Sequence, residues 1–146
     1  MPEPSPAEIE GYVLEDQVGH VLRRAHQRHT AIFQEGIGDL QLTPTQFAAL
    51  AKIHALDGVS QNQLGRLTAM DPATIQGVIQ RLEARRLIRR APDPKDKRLA
   101  VLRLTEEGAE VAARAIARAA VITEETLAPL SPRERQQFLA LLKRLT

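Results

Sequence analysis

The stretch DPATIQGVIQRLEARRLIRRAPDPKDKRLAVLRLTEEG, residues 71–108, divides into a helix, a hairpin with a charged tip and the start of a second helix. Asp71 is placed to accept from the first free backbone N–H groups of a helix. Pro72 suits the first helical position because it has no N–H to leave unpaired. Ile75, Val78, Ile79 and Leu82 recur at helical spacing and predict a buried stripe. That leaves Ala73, Thr74, Gln76, Gly77, Gln80 and Arg81 on a small, polar outer face with one cation. The stop of this helix is less sharply marked than its start.

Two β-prone runs follow, Leu87 to Arg90 and Leu99 to Leu104, separated by PDPKDKR. The prolines and aspartates of the separator favour a turn, and Lys95, Lys97 and Arg98 place cations on its tip beside Asp96. A helix with a polar outer face beside a cationic hairpin suits duplex DNA. The helix has the width of a major groove, and the hairpin can reach phosphates or a minor groove.

The run ARRLIRRAPDPKDKRLAVLRLTEEG resembles the wing signature of the multiple antibiotic resistance regulator (MarR) family of winged-helix repressors. The resemblance rests on the aspartate-x-arginine pair Asp96 and Arg98 and on the leucine-threonine-x-x-glycine ending Leu104, Thr105 and Gly108, and it extends over roughly residues 19–145. It implies a mainly α fold with a small β-hairpin: a winged helix-turn-helix with N- and C-terminal dimerisation helices. The expected boundaries are one domain over 1–146, with a DNA-binding lobe at about 42–104 and dimerisation helices at about 8–40 and 105–146. It also implies that Asp96 holds the Arg98 guanidinium for a minor groove or a flanking phosphate.

Composition narrows the function independently. A chain of 146 residues is one domain's worth, too short for two enzymatic domains. The formal charge is only +2, so nucleic-acid binding must come from a local patch such as Arg81 to Arg103. There is no cysteine, which excludes disulfides, thiol peroxide sensing and thiolate-bound zinc. No apolar run approaches the ~20 residues needed to span a bilayer. The start MPEPSPAEIE lacks the positive and apolar regions of a signal peptide, so a cytoplasmic protein with no membrane partner is expected. Aromatic residues make up 3% of the chain, too few for stacking along a single strand, which favours double-stranded targets.

Residues 1–7 carry three prolines and read as a mobile arm or a short extended dimer contact. From Asp16 to about Glu35 a long helical pattern places Val18, Val21, Leu22, Ala25, Ile32 and Phe33 on one stripe, and His29 falls inside it. At ~100° per residue His29 lies about 20° from Val18 and from Leu22, where leucine is the ordinary choice. His26 sits at the stripe's edge and Arg23 further round. A buried imidazole needs a hydrogen-bond partner, and an arginine beside a cavity can grip a carboxylate with two bonds. The residues therefore suggest a pocket for an anion and a hydroxyl, against the plainer reading of a satisfied core histidine and a solvated basic face. GHVLRRAHQRH is similar to the opening helix of family members that respond to phenolic or aromatic carboxylates. That resemblance implies ligand contacts from Arg23 and His29, with His20 and His26 alongside, and an aromatic carboxylate or its CoA thioester as the small-molecule effector.

Thr43 and Pro44 repeat the cap-then-proline start for a helix reaching Asp57 and Gly58, where His54 reads as an exposed residue at the helix end, the alternative being a wall of the same pocket. Ser60 and Gln63 suit a capping box for a short helix through Leu64 and Leu67, and Thr68 to Met70 turn into Asp71 at helix-turn-helix spacing. After the wing, Thr105 caps a helix whose alanine-rich body, Ala109 to Ala120, can pack closely. Ser131, Pro132 and Glu134 start a last helix with the apolar stripe Phe138, Leu141, Leu142 and Leu145. This stripe either folds back on its own domain or joins Tyr12 to Leu14, Leu127 and Leu130 in a two-fold homodimer, as the resemblance implies.

The resulting expectation is a non-enzymatic repressor without cofactor. It would bind a pseudo-palindromic operator in double-stranded DNA and control genes of aromatic or phenolic acid catabolism. The alternatives are control of stress or efflux genes by another effector and a metal-responsive regulator built on His26 and His29. An enzyme using His20, His26, His29 or His54 lacks a neighbouring nucleophile or acid in a catalytic arrangement. A winged-helix interaction module without DNA would not need the wing's cations.

Overall fold

The computed structural model describes residues 1–5 and 9–146, so the last part of the proline-rich arm lies outside the described residues. Six helices and one hairpin follow in the order α1 (Val18–Ile37), α2 (Pro44–Ala55), α3 (Gln61–Leu67), α4 (Pro72–Ala84), β1 (Ile88–Pro92), β2 (Ala100–Leu104), α5 (Glu106–Leu127) and α6 (Pro132–Lys143). Single 3-10 turns, Leu14–Asp16 and Gly38–Leu40, flank α1.

The helix starts are where their capping residues put them. Asp71 accepts from the Thr74 backbone N–H at 2.8 Å, and Ser131 and Glu134 bond reciprocally as a full capping box. Thr43 forms a second full box with Gln46, whereas Ser60 accepts from Gln63 N–H without a reciprocal bond. The end of α4 is sharper than its sequence suggested. Arg86 adopts φ 59, and Leu87 N–H returns to the Leu82 carbonyl while Arg86 N–H returns to Glu83. This is the Schellman closure usually made by glycine, here carried by an arginine. It consumes Leu87, so the first wing strand begins at Ile88 and runs on to Pro92. Proline is tolerated there because it sits at the strand's end, paired with Ala100, where no further ladder N–H is required.

The core is continuous across the chain: Phe33 and Ile37 of α1, Leu50 and Ile53 of α2, Leu64 of α3, Ile75, Ile79 and Leu82 of α4, Leu102 of β2, and Ala112, Ala115 and Ile122 of α5. The alanines let α5 approach both α1 and α2. In contrast, Val18, Val21 and Leu22 of the α1 stripe are exposed in the single chain, and α6 buries no residue. Among the described residues no helix is long and apolar enough to cross a membrane.

Candidate DNA-binding surface and effector cavity

The outer face of α4 is as its periodicity requires. Ala73, Thr74, Gln76, Gln80 and Arg81 are exposed, and Ile75, Val78, Ile79 and Leu82 are buried. A side chain at Gly77 would meet only the Arg81 guanidinium at 3.5 Å, so the glycine leaves an open notch in the face rather than serving internal packing. The backbone N–H of Thr74 holds the Asp71 carboxyl below the usual carboxylate range. At the other end of the helix, Arg85 donates to the carbonyls of Leu40 and Gln41 at 2.8 and 2.9 Å. It ties α4 to the connector that follows α1.

The wing tip is internally braced. Asp93 accepts from Lys95 N–H at 2.8 Å, and Leu99 N–H closes the loop on Asp96 O. Arg98 donates Nε to Asp96 Oδ1 and Nη2 to Asp96 Oδ2, both at 3.0 Å. These bonds lower the Asp96 carboxyl and raise the Arg98 guanidinium. Arg98 remains 89% exposed, a pre-oriented cation flanked by exposed Lys95 and Lys97. The base of the wing is fixed by contacts with no sequence periodicity. Val59 exchanges two backbone hydrogen bonds with Leu102, Arg103 pairs with Asp57, and Arg90 pairs with Glu83 at 3.2 Å.

The leucine-threonine-x-x-glycine ending also has a mechanical reason. The Thr105 hydroxyl donates to Arg86 O at 2.6 Å and accepts from Gly108 N–H at 2.9 Å. A Cβ on Gly108 would overlap the Leu87 carbonyl. The end of α4, the wing and the start of α5 therefore meet at one junction with no space for a side chain.

A cavity of about 460 Å³ opens between α1, α5 and α6, lined by Leu22, His26, His29, Thr126, Phe138 and Leu139 among others. His29 is half-buried, bonds through Nδ1 to Thr126 Oγ1 at 2.9 Å and leans on Phe33 with ring centroids 6.5 Å apart. The structure thus brings His26 and His29 together on one wall. Arg23 is elsewhere: its guanidinium lies 3.3 Å from Nδ1 of His20 on the exposed side of α1, and neither residue lines the cavity. His54 is exposed at the end of α2, beside a shallow groove with Asp57, Arg89 and Arg103. Sequence reasoning missed Thr126 and the α6 wall. It also missed Arg28, which donates to the carbonyls of Thr126 and Glu125 at the end of α5. Their contacts with α1 span nearly 100 residues, beyond any local pattern. Among the described residues no group of three or more histidine, cysteine or acidic side chains is arranged to hold a metal.

A helix-turn-helix with a braced basic hairpin defines a winged-helix DNA-binding protein. Residues 40–99 match the MarR family. Over 144 residues the chain is 42% identical to the HTH-type transcriptional repressor NicR of Pseudomonas putida, covering 99% of this chain and 91% of that one. Among solved structures it resembles BpsR of Bordetella bronchiseptica, whose DNA binding is regulated by 6-hydroxynicotinic acid. The TM-score is 0.85 at 40% identity, over 92% of this chain and 96% of that one. It also resembles PcaV of Streptomyces coelicolor in complex with its natural ligand, with TM-score 0.84 at 33% identity over 92% of this chain and 95% of that one. The chain belongs to the MarR family of winged-helix transcriptional regulators and is not an enzyme.

Proposed function

We propose that the protein acts in the cytoplasm as a homodimeric repressor of aromatic or phenolic acid catabolism genes, released from its operator by an aromatic carboxylate. The lobe at about 42–104 binds DNA and the flanking helices join two copies. In this reading Thr74, Gln76, Gln80 and Arg81 reach base edges, Ala73 and the notch at Gly77 admit close approach, and Lys95, Lys97 and Arg98, oriented by Asp96, hold the backbone or minor groove. A two-fold dimer would place two such helices on half-sites about one helical turn apart. A footprint protected by a single monomer would contradict this.

The observation that carries the effector reading is the apolar cavity with His26 and His29 on one wall, in a chain 40% identical to a regulator that responds to 6-hydroxynicotinic acid. Arg23 lies about 60° round α1 from His26, so its long side chain can swing from His20 to the rim and take the carboxylate. A tenfold loss of operator affinity needs ~1.4 kcal/mol of preference for the non-binding form, which one charge-assisted hydrogen bond supplies.

The test is a titration of 6-hydroxynicotinic acid, other aromatic acids and their CoA thioesters into the protein–operator complex, using wild type, Arg23→Ala and His29→Ala. Both variants should bind operator normally and lose the response by at least about tenfold. Release of both at the wild-type effector concentration would place the pocket elsewhere.

A further inference from the structure

Thr126 stands at the meeting point of two contacts, and its hydroxyl has one proton to give. Its Oγ1 lies 2.8 Å from the Ile122 carbonyl oxygen and 2.9 Å from Nδ1 of His29. The carbonyl has no proton to give, so the hydroxyl proton lies between Oγ1 and Ile122 O. Without it, two lone-pair-bearing oxygens would face each other at hydrogen-bond distance. The second contact then needs a proton from the imidazole. A neutral histidine has one ring proton, and here it is on Nδ1, which leaves Nε2 with a bare lone pair.

His29 lines the cavity, and with Nδ1 committed to Thr126, Nε2 is the nitrogen left for a ligand. Among the described residues Nε2 has no hydrogen-bond partner. An ionised carboxylate has no proton to offer such an acceptor. A ring hydroxyl or a ring N–H does.

We propose that Thr126 sets the hydrogen-bonding polarity of the effector site. By fixing His29 as an acceptor toward the cavity, it selects aromatic acids that carry a ring hydroxyl or ring N–H donor over those that lack one. Thr126 is a positioning residue, since it acts through His29. The proposal rests on the effector reading above and narrows it, because it assigns His29 to the donor group and leaves the carboxylate to Arg23.

Two measurements on the full chain test it. The first is a two-bond 15N–1H correlation spectrum, which reads the tautomer directly and needs no ligand. Wild type and Thr126→Ser should show His29 protonated on Nδ1, and Thr126→Val should show the proton on Nε2. The second is calorimetric affinity for 6-hydroxynicotinate and nicotinate, which share the carboxylate and differ in the ring oxygen and the donor proton that comes with it. Wild type and Thr126→Ser should favour the hydroxylated acid by roughly tenfold or more, with the preference falling to about twofold in Thr126→Val.

A wild-type His29 protonated on Nε2 overturns the proposal whether or not either acid binds. If both acids bind wild type equally, or if Thr126→Val keeps the preference, the proposal falls while the effector reading stands. If neither acid binds, the polarity proposal falls, and the wider titration of aromatic acids and thioesters above decides the effector reading. The wild-type spectrum and Thr126→Ser, which retains the oxygen, decide the matter even if the valine variant does not fold.

Discussion

Residues 42–104 and the helices on either side of them satisfy their apolar surface in different ways. In the middle of the chain only Leu67 and Leu99 among the large apolar side chains are substantially exposed. Outside it, Tyr12, Leu14, Val18, Val21, Phe138, Leu141 and Leu145 all lie open, the last of them 69% exposed. The helix-turn-helix and wing are complete within one chain. The apolar stripe of α6 is not, and exposed stripes on both terminal segments are what a two-fold contact between copies would cover. The contrast separates what must stay rigid to read DNA from what can take up alternative spacings.

The most severe way to break this contrast is Gly108→Ala, at the junction where the two regions meet. A Cβ there collides with backbone rather than with a flexible side chain, so about 3 kcal/mol of stability should be lost. A thermal melt lower by roughly 10 °C is the expected result. An unchanged melt would mean that the junction can open at little cost. Next in size is Leu141→Glu, which places a charge on the exposed stripe of α6. Sedimentation should then report a species near the 16.2 kDa of one chain, with helical circular dichroism intact and operator affinity reduced by more than about tenfold. A stable dimer carrying this substitution would show that α6 folds back on its own chain instead.

Arg98→Ala sharpens the comparison from the DNA side. It should leave the dimer untouched, weaken binding several-fold on many sequences and reduce the slope of affinity against salt by about one ion. Wild-type affinity at ~150 mM salt would rule out the wing contact.

The smallest expected effect is at Asp71. Its carboxyl is held below the ordinary value of ~3.9, chiefly by the Thr74 backbone N–H, so its contribution is fully present above that value and is lost as pH falls through the lower folded-state value. Asp71→Asn keeps a capping oxygen without the titration. Its stability at neutral pH should stay close to wild type, and its decline below about pH 4 should be shallower. An identical acid limb in both proteins would assign the effect to other carboxylates.

What the sequence disclosed follows the same division. Starts of helices are local: Asp71 with Pro72, Thr43 with Pro44 and Ser131 with Glu134 each announce themselves within four residues, and all three cap as expected. The Asp96–Arg98 brace, which the family resemblance implied, is also present. The closure of α4 was hidden because an arginine adopts the backbone conformation that glycine usually signals. The anchor between Val59 and Leu102 involves one residue on one side, too little for an alternating pattern. In the cavity, the stripe position of His29 was visible on α1, but its partner Thr126 is 97 residues away, and nothing local to α1 specifies it. The helical spacing puts Arg23 further round α1 than His29, and its part in the pocket came from the family resemblance; its guanidinium turns toward His20.

The grip of Arg85 on Leu40 and Gln41 would give α4 one slow end and one fast end. A lobe pivoting at this connector would barely displace the last turn of α4, while the far end of the 13-residue helix would sweep an arc with a radius of ~18 Å. A turn of about 5° moves that end by about 1.5 Å, more than a hydrogen bond to a base edge can absorb. Thr74 and Gln76 ride on the fast end, and Arg81 sits near the axle. Release would then begin at the contacts made by the first turns of the helix and reach Arg81 last.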